Sequence, residues 1–143
     1  VSKWKTIVVG VDGSPPSRTA LTWAAAEAAD HGADLVVLTV WEHTLLPPMG
    51  SGGVPRSPLP DPSQRATEDL LTVIKAELGE DPPVRVQPRV KEGNPAEVLI
   101  EQSAGADLLV VGTRGRGGFR GLLLGSVSLH VAAHAKCSVT VVR

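Results

Sequence analysis

Apolar residues in this chain fall into short continuous runs, separated by segments in which they recur every three or four positions. Residues 6–11 (TIVVGV), 33–41 (ADLVVLTVW) and 107–112 (DLLVVG) are runs of the first kind, rich in β-branched side chains. Runs apolar on both faces belong to parallel sheets covered by helices on each side. Residues 138–142 (SVTVV) read as a final strand. Residues 84–90 read as one more, with Val84, Val86, Pro88 and Val90 alternating with other positions. Proline cannot donate to a ladder, so Pro88 suits an edge strand.

Between the runs the spacing becomes helical. Residues 17–31 place Leu21, Ala24, Ala25 and Ala28 at helical intervals, and Gly32 follows as a stop. Residues 66–79 carry Leu70, Leu71, Ile74 and Leu78 on one face. Asn94-Pro95-Ala96-Glu97 opens a third helix with a cap, a proline at the first position and an acid three residues after the cap. It continues to Ala104, where Gly105 stops it. The fourth helix spans 126–135, with Val127, Val131 and Ala135 inward and Lys136 at the end where the helix dipole favours a cation.

Five strands alternating with four helices predict an α/β fold: a single doubly wound domain over 1–143, with a five-stranded parallel sheet and right-handed crossovers. Ligands of such sheets bind beyond the carboxyl ends of strands, where strand order reverses. If the first and fourth strands are neighbours there, Asp12 and the loop after Gly112 face each other. One stretch breaks the alternation. Residues 43–62 hold six prolines and the glycines 50, 52 and 53, and read as a flexible Pro/Gly-rich surface loop.

Composition narrows the function. A net charge of −1 gives no broad attraction to nucleic acid or membranes. No apolar run approaches the 18 or so residues of a membrane span. The single cysteine, Cys137, cannot form an internal disulfide, and the start of the chain does not resemble a signal peptide, so a cytoplasmic location is expected.

The chemistry concentrates in 108–128, LLVVGTRGRGGFRGLLLGSVS, where a buried strand runs into glycines and arginines and then into a helix start. Exposed amides, positive charge and a helix N-terminus together form an anion site, and phosphate is the usual occupant. Two familiar templates fail. A P-loop needs lysine where Gly118 stands, and the dinucleotide fingerprint needs glycine where Arg120 stands. What fits is Gly112, two residues, Gly115, nine residues, Gly125 and Ser126.

That spacing resembles the ATP-binding subgroup of the universal stress protein family. The resemblance covers essentially the whole chain: IVVGVDGSPPSRTAL, the Pro-rich gap, EGNPAEVLI, ADLLVVGTRGRGG and LGSVSLHVAAHAKCSVTVV match in order and spacing. It implies a Rossmann-like sheet of order 3-2-1-4-5, similar to the adenine nucleotide alpha hydrolase-like fold, and ATP as ligand, with Mg2+ accompanying it. Carried over by position, Asp12 and Val40 meet the adenosine end, and Gly10 lines the pocket. Gly112, Arg114 and Gly115 approach the ribose and phosphates, and Gly125, Ser126, Val127 and Ser128 hold the phosphates. Glycine permits close backbone approach, and Ser126 and Ser128 add hydroxyl donors. The arginines Arg114, Arg116 and Arg120 are weighted towards solvent exposure, although Arg114 could neutralise charge.

The resemblance further implies a stress-response regulator rather than an enzyme, with slow ATP hydrolysis as an option, since no acidic residue or histidine lies within the glycine loop. The alternatives are a nucleotide-independent interaction module and a true ATP-consuming enzyme, either a hydrolase or an adenylate-forming relative. The apolar strand 138–142 at a sheet edge predicts a homodimer. The family often has proline after the cysteine near this strand, where this chain has Ser138.

Other features have plainer readings. Asp12-Gly13 is also ordinary turn chemistry. Trp41 either shields an adenine ring or packs under the long loop, and Trp4 and Trp23 are packing residues. His130 and His134 have the spacing of a helical zinc pair, but Val131 replaces the glutamate of a metalloprotease and no third ligand is evident, so they read as a helix flank. Cys137 reads as a small packed hydrophobe. The Ser-Gly-Gly at 51–53 and the RGGFRG run are too weakly placed to support a pyrophosphatase loop or RNA binding.

Overall fold

The computed structural model describes residues 4–42, 61–114 and 124–143. Its elements run β1 (Thr6–Gly10), α1 (Pro15–His31), β2 (Asp34–Trp41), α2 (Pro62–Leu78), β3 (Val86–Glu92), α3 (Pro95–Ser103), β4 (Leu108–Gly112), α4 (Ser126–His134) and β5 (Ser138–Val142). The strands form one parallel sheet in the order β3-β2-β1-β4-β5. This is the order that the resemblance implies. β1 and β4 are direct neighbours, with Ile7, Val8 and Val9 in register with Leu108, Leu109 and Val110.

Alternation along the strands builds two cores. Ile7, Val9, Leu35, Val37, Leu108 and Val110 point to the side covered by α1 and α2. Val8, Val36, Leu38, Leu109 and Val111 point to the side covered by α3 and α4. The central strands are apolar on both faces because both faces are covered, the physical basis of the continuous runs. Pro88 does lie in an edge strand, in register with Val37 of β2. Trp4 and Trp23 pack against the α1/α2 core, and Trp4 stacks on His31 with ring centroids 4.3 Å apart. No helix among the described residues is long and apolar enough to cross a membrane.

Several boundaries differ from expectation. α1 begins at Pro15 rather than at 17, because Ser14 is extended and Pro15 and Pro16 occupy the first helical positions, where a missing N–H costs nothing. α2 begins at Pro62 rather than at 66. The Asp61 carboxylate caps it by accepting from the Ser63 amide at 3.0 Å, and Pro62 starts the helix instead of ending a loop. The stretch expected as a loop over 43–62 therefore loses its last residue to α2, and 43–60 lies outside the described residues. β3 sits two residues later than expected, and α4 closes at His134.

Candidate functional site

At the carboxyl ends of β1 and β4 the chain diverges, β1 towards α1 on one face and β4 towards α4 on the other. A pocket of about 360 Å³ opens there, within the size range of small-molecule sites. Every predicted site residue that the structure describes lines it: Gly10, Asp12, Val40, Gly112, Arg114, Gly125, Ser126, Val127 and Ser128. Gly115 lies outside the described residues.

The backbone at the switch point is tight. A Cβ on Gly112 would stand 2.8 Å from the Pro16 carbonyl carbon and oxygen, so only glycine lets β4 pass the start of α1. A Cβ on Gly10 would press the Leu99 side chain at 3.1 Å from the opposite face. These two glycines set how closely α1 and α3 approach the pocket.

Asp12 makes the turn that the sequence offers as one of its two readings, and it stands on the pocket wall. Its carboxylate accepts from the Ser14 amide at 2.9 Å and from the Ser14 hydroxyl, which makes the turn into α1. The Thr39 hydroxyl donates to the Val11 carbonyl at 2.8 Å and fixes the end of β2 against this turn. Leu38, Val40 and Glu42, two residues apart along and just beyond β2, all line the pocket. They give it two apolar side chains followed by a carboxylate at the strand end.

The opposite rim is the start of α4. Gly125 is its N-cap, and the Gly125 amide donates to the Thr113 carbonyl at 2.6 Å. The first helical bond runs from the Leu129 amide to the Gly125 carbonyl at 3.0 Å. The amides of Ser126, Val127 and Ser128 thus precede the helical ladder, and no side chain among the described residues caps them. Three N–H groups and the positive end of the helix dipole front the pocket at this rim. Ser128 itself is 4% exposed, and its hydroxyl donates to the Gly112 carbonyl at 2.5 Å. Its proton is thereby committed to the protein rather than offered to the pocket.

Sequence reasoning missed Val11, Ser17, Leu38, Glu42, Pro95, Leu99 and Val111 on the pocket wall. The signal for Leu38 and Glu42 was available in strand alternation with Val40. Pro95 and Leu99 enter from α3, whose place over the sheet is a tertiary fact. Trp41 points elsewhere. It lines an adjoining hollow of about 570 Å³ between β2, α1 and α2, with Arg18, Arg65 and Asp69.

An open parallel sheet that reverses between β1 and β4, with glycines at both strand ends, a helix start on the rim and a pocket at the switch point, defines a doubly wound α/β protein. This chain belongs to the universal stress protein family, whose model matches residues 3–143. A universal stress protein of Mycolicibacterium smegmatis is 42% identical over 139 residues, covering 96% of this chain and 45% of the relative. Universal stress protein Rv2623 of Mycobacterium tuberculosis is 36% identical over 142 residues, covering 96% and 44%. The chain thus spans about half the length of the curated relatives it matches. Among solved structures, a universal stress protein in complex with cAMP superposes with a TM-score of 0.67 at 31% identity, covering 99% of this chain and 98% of that one. UspA of Lactobacillus plantarum superposes at 0.70 with 21% identity, covering 100% of both chains, a likeness of fold.

Proposed function

We propose that this chain is a cytoplasmic adenine-nucleotide-binding stress regulator, with ATP as its ligand, that acts through nucleotide-dependent conformation or partner binding and not as an enzyme. The observation that carries the reading is the convergence on one pocket of the Ser126, Val127 and Ser128 amides, the Asp12 carboxylate and the apolar Leu38–Val40 wall. Phosphates meet the amides, and the adenosine end meets Val40 and Asp12. Gly10 and Gly112 let the backbone come close, and Arg114 at the rim adds positive charge. The similarity to a universal stress protein solved with cAMP supports an adenine nucleotide as the ligand class.

Mg2+ would come with the triphosphate. It keeps most of its waters and takes few protein ligands, and Asp12 and Glu42 are the carboxylates that line the pocket. Residues 112–125 hold no acidic residue or histidine to act as a general base, which supports retention over turnover.

The chain also pairs with a second copy in this reading. β3 and β5 are the two sheet edges. β3 carries Pro88, Arg89, Lys91 and Glu92, devices that block edge pairing, whereas β5 (Ser138–Val142) has neither charge nor proline and keeps Val139 and Val141 only half-buried. A homodimer through β5 covers that edge. A monomer by light scattering at micromolar concentration contradicts it.

The test of ligand identity is to denature purified protein, identify released nucleotide, and titrate nucleotide-free protein with ATP and cAMP by calorimetry. Release of an adenine nucleotide, or saturable binding of ATP, is expected. No released nucleotide together with no heat at millimolar ATP contradicts the proposal.

A further inference from the structure

α4 turns Val131 fully into the sheet layer and leaves His130 and His134 exposed. Their one-turn separation sets the two imidazoles on the same face. The rings stand edge-on with centroids 4.9 Å apart and an interplanar angle of 61°. This ring contact is the only interaction the two side chains make among the described residues.

Imidazole nitrogen is the commonest protein ligand for late first-row divalent metals. Metal–nitrogen bonds are about 2.0–2.1 Å long. Side chains at i and i+4 share a helix face, so rotation of the two rings can bring one nitrogen of each to a shared ion without unwinding the helix. Among the described residues no group of three or more His, Cys, Asp or Glu side chains gathers to hold a metal. The pair therefore supplies two ligands and leaves the remaining positions to water.

We propose that His130 and His134 form an open two-imidazole site for Zn2+ or Ni2+ on the outer face of α4, separate from the pocket. Such a site is not a hydrolytic centre, since among the described residues no carboxylate joins the pair, and Val131 is buried on the other side of the helix. Its effect is mechanical. An ion bridging i and i+4 clips the last turns of the helix whose first-turn amides line the pocket rim, and binding to the folded state alone raises stability by mass action.

The test uses untagged, nucleotide-free protein titrated with NiCl2 and with ZnCl2 by calorimetry, alongside His130→Ala, His134→Ala and a Cys137→Ser control. Both histidines are exposed, so the variants keep the fold, and unchanged melting without metal verifies this. One ion per chain is expected for the wild type and for Cys137→Ser. Each histidine variant should lose at least the roughly tenfold in affinity that even outer-shell changes at metal sites cause. The metal-induced rise in melting temperature should vanish with it. Equal metal binding by the wild type and both histidine variants, or a loss confined to Cys137→Ser, overturns the assignment.

Discussion

The Ser128 hydroxyl donates to the Gly112 carbonyl at 2.5 Å and so ties the first turn of α4 to the end of β4 across 16 residues of chain. With the Gly125 amide on the Thr113 carbonyl at 2.6 Å, it closes both ends of the long glycine spacer onto each other. The end of β4 and the start of α4 are therefore one braced unit of the pocket rim. Removing the hydroxyl in Ser128→Ala should lower stability by about 1–3 kcal/mol, as expected when a buried polar partner is lost. Chemical denaturation measures this, and amide exchange at Gly125 should quicken before any nucleotide is added.

Gly112 is the second brace. In Gly112→Ala the new methyl would meet the Pro16 backbone at 2.8 Å, and neither a strand nor a helix start yields cheaply. A loss of about 1–3 kcal/mol is expected from this overpacking. Gly105→Ala, where nothing lies within 4 Å of the added carbon, should stay within about 0.5 kcal/mol of wild type. Denaturant midpoints of the two variants give the comparison directly.

Asp107 clamps the entry to β1. Its carboxylate accepts from the Lys5 amide at 2.8 Å and the Thr6 amide at 3.0 Å, and these bonds, chiefly that to Lys5, hold its pKa below the ordinary carboxylate value. A lowered folded-state pKa means stability that is present above the unfolded value, about 3.9, and lost as pH falls through the folded value. Melting temperatures of wild type and Asp107→Asn should differ most at neutral pH and converge as the solution is taken below pH 4 or so. A gap that widens on acidification contradicts this.

Cys137 packs against the α3/α4 core as a half-buried side chain. Burial pushes its thiol pKa up, and the Asp107 charge adds to the shift. Only the thiolate is nucleophilic, so maleimide should label Cys137 more slowly than free cysteine at pH 7.5 and accelerate steadily at higher pH.

Much of this was legible before any coordinates. The apolar runs at 6–11, 33–41 and 107–112 identify the central strands because their two faces are both buried, and Pro88 identifies an edge because a missing donor is tolerated only there. The start of α2 was obscured by the prolines around it, since Pro62 marks a helix beginning only when Asp61 is seen to cap. The pocket members that hang on glycine spacing or on a turn, such as Gly112, Gly125 and Asp12, were visible for the same reason that they matter: backbone geometry restricts residue choice there. Leu99 and Val111 look like any core residue, and only the packing of α3 and α4 over the sheet brings them to the wall. The commitment of the Ser128 proton to Gly112 was invisible, because a serine at a helix start serves equally well as an anion donor in sequence terms.

Ser126 offers the most direct access to the central claim. It is exposed at the first position of α4 and lines the pocket. A carboxylate there is favourable to the helix dipole yet competes with phosphate for the same amides. Calorimetric titration of Ser126→Asp and wild type with ATP and with adenosine separates the two ends of the pocket. The account predicts an unchanged or raised melting temperature, ATP affinity reduced about tenfold or more, as a loss of roughly 1.4 kcal/mol requires, and adenosine affinity retained. ATP bound equally well by both proteins would place the phosphates away from the α4 rim and contradict it.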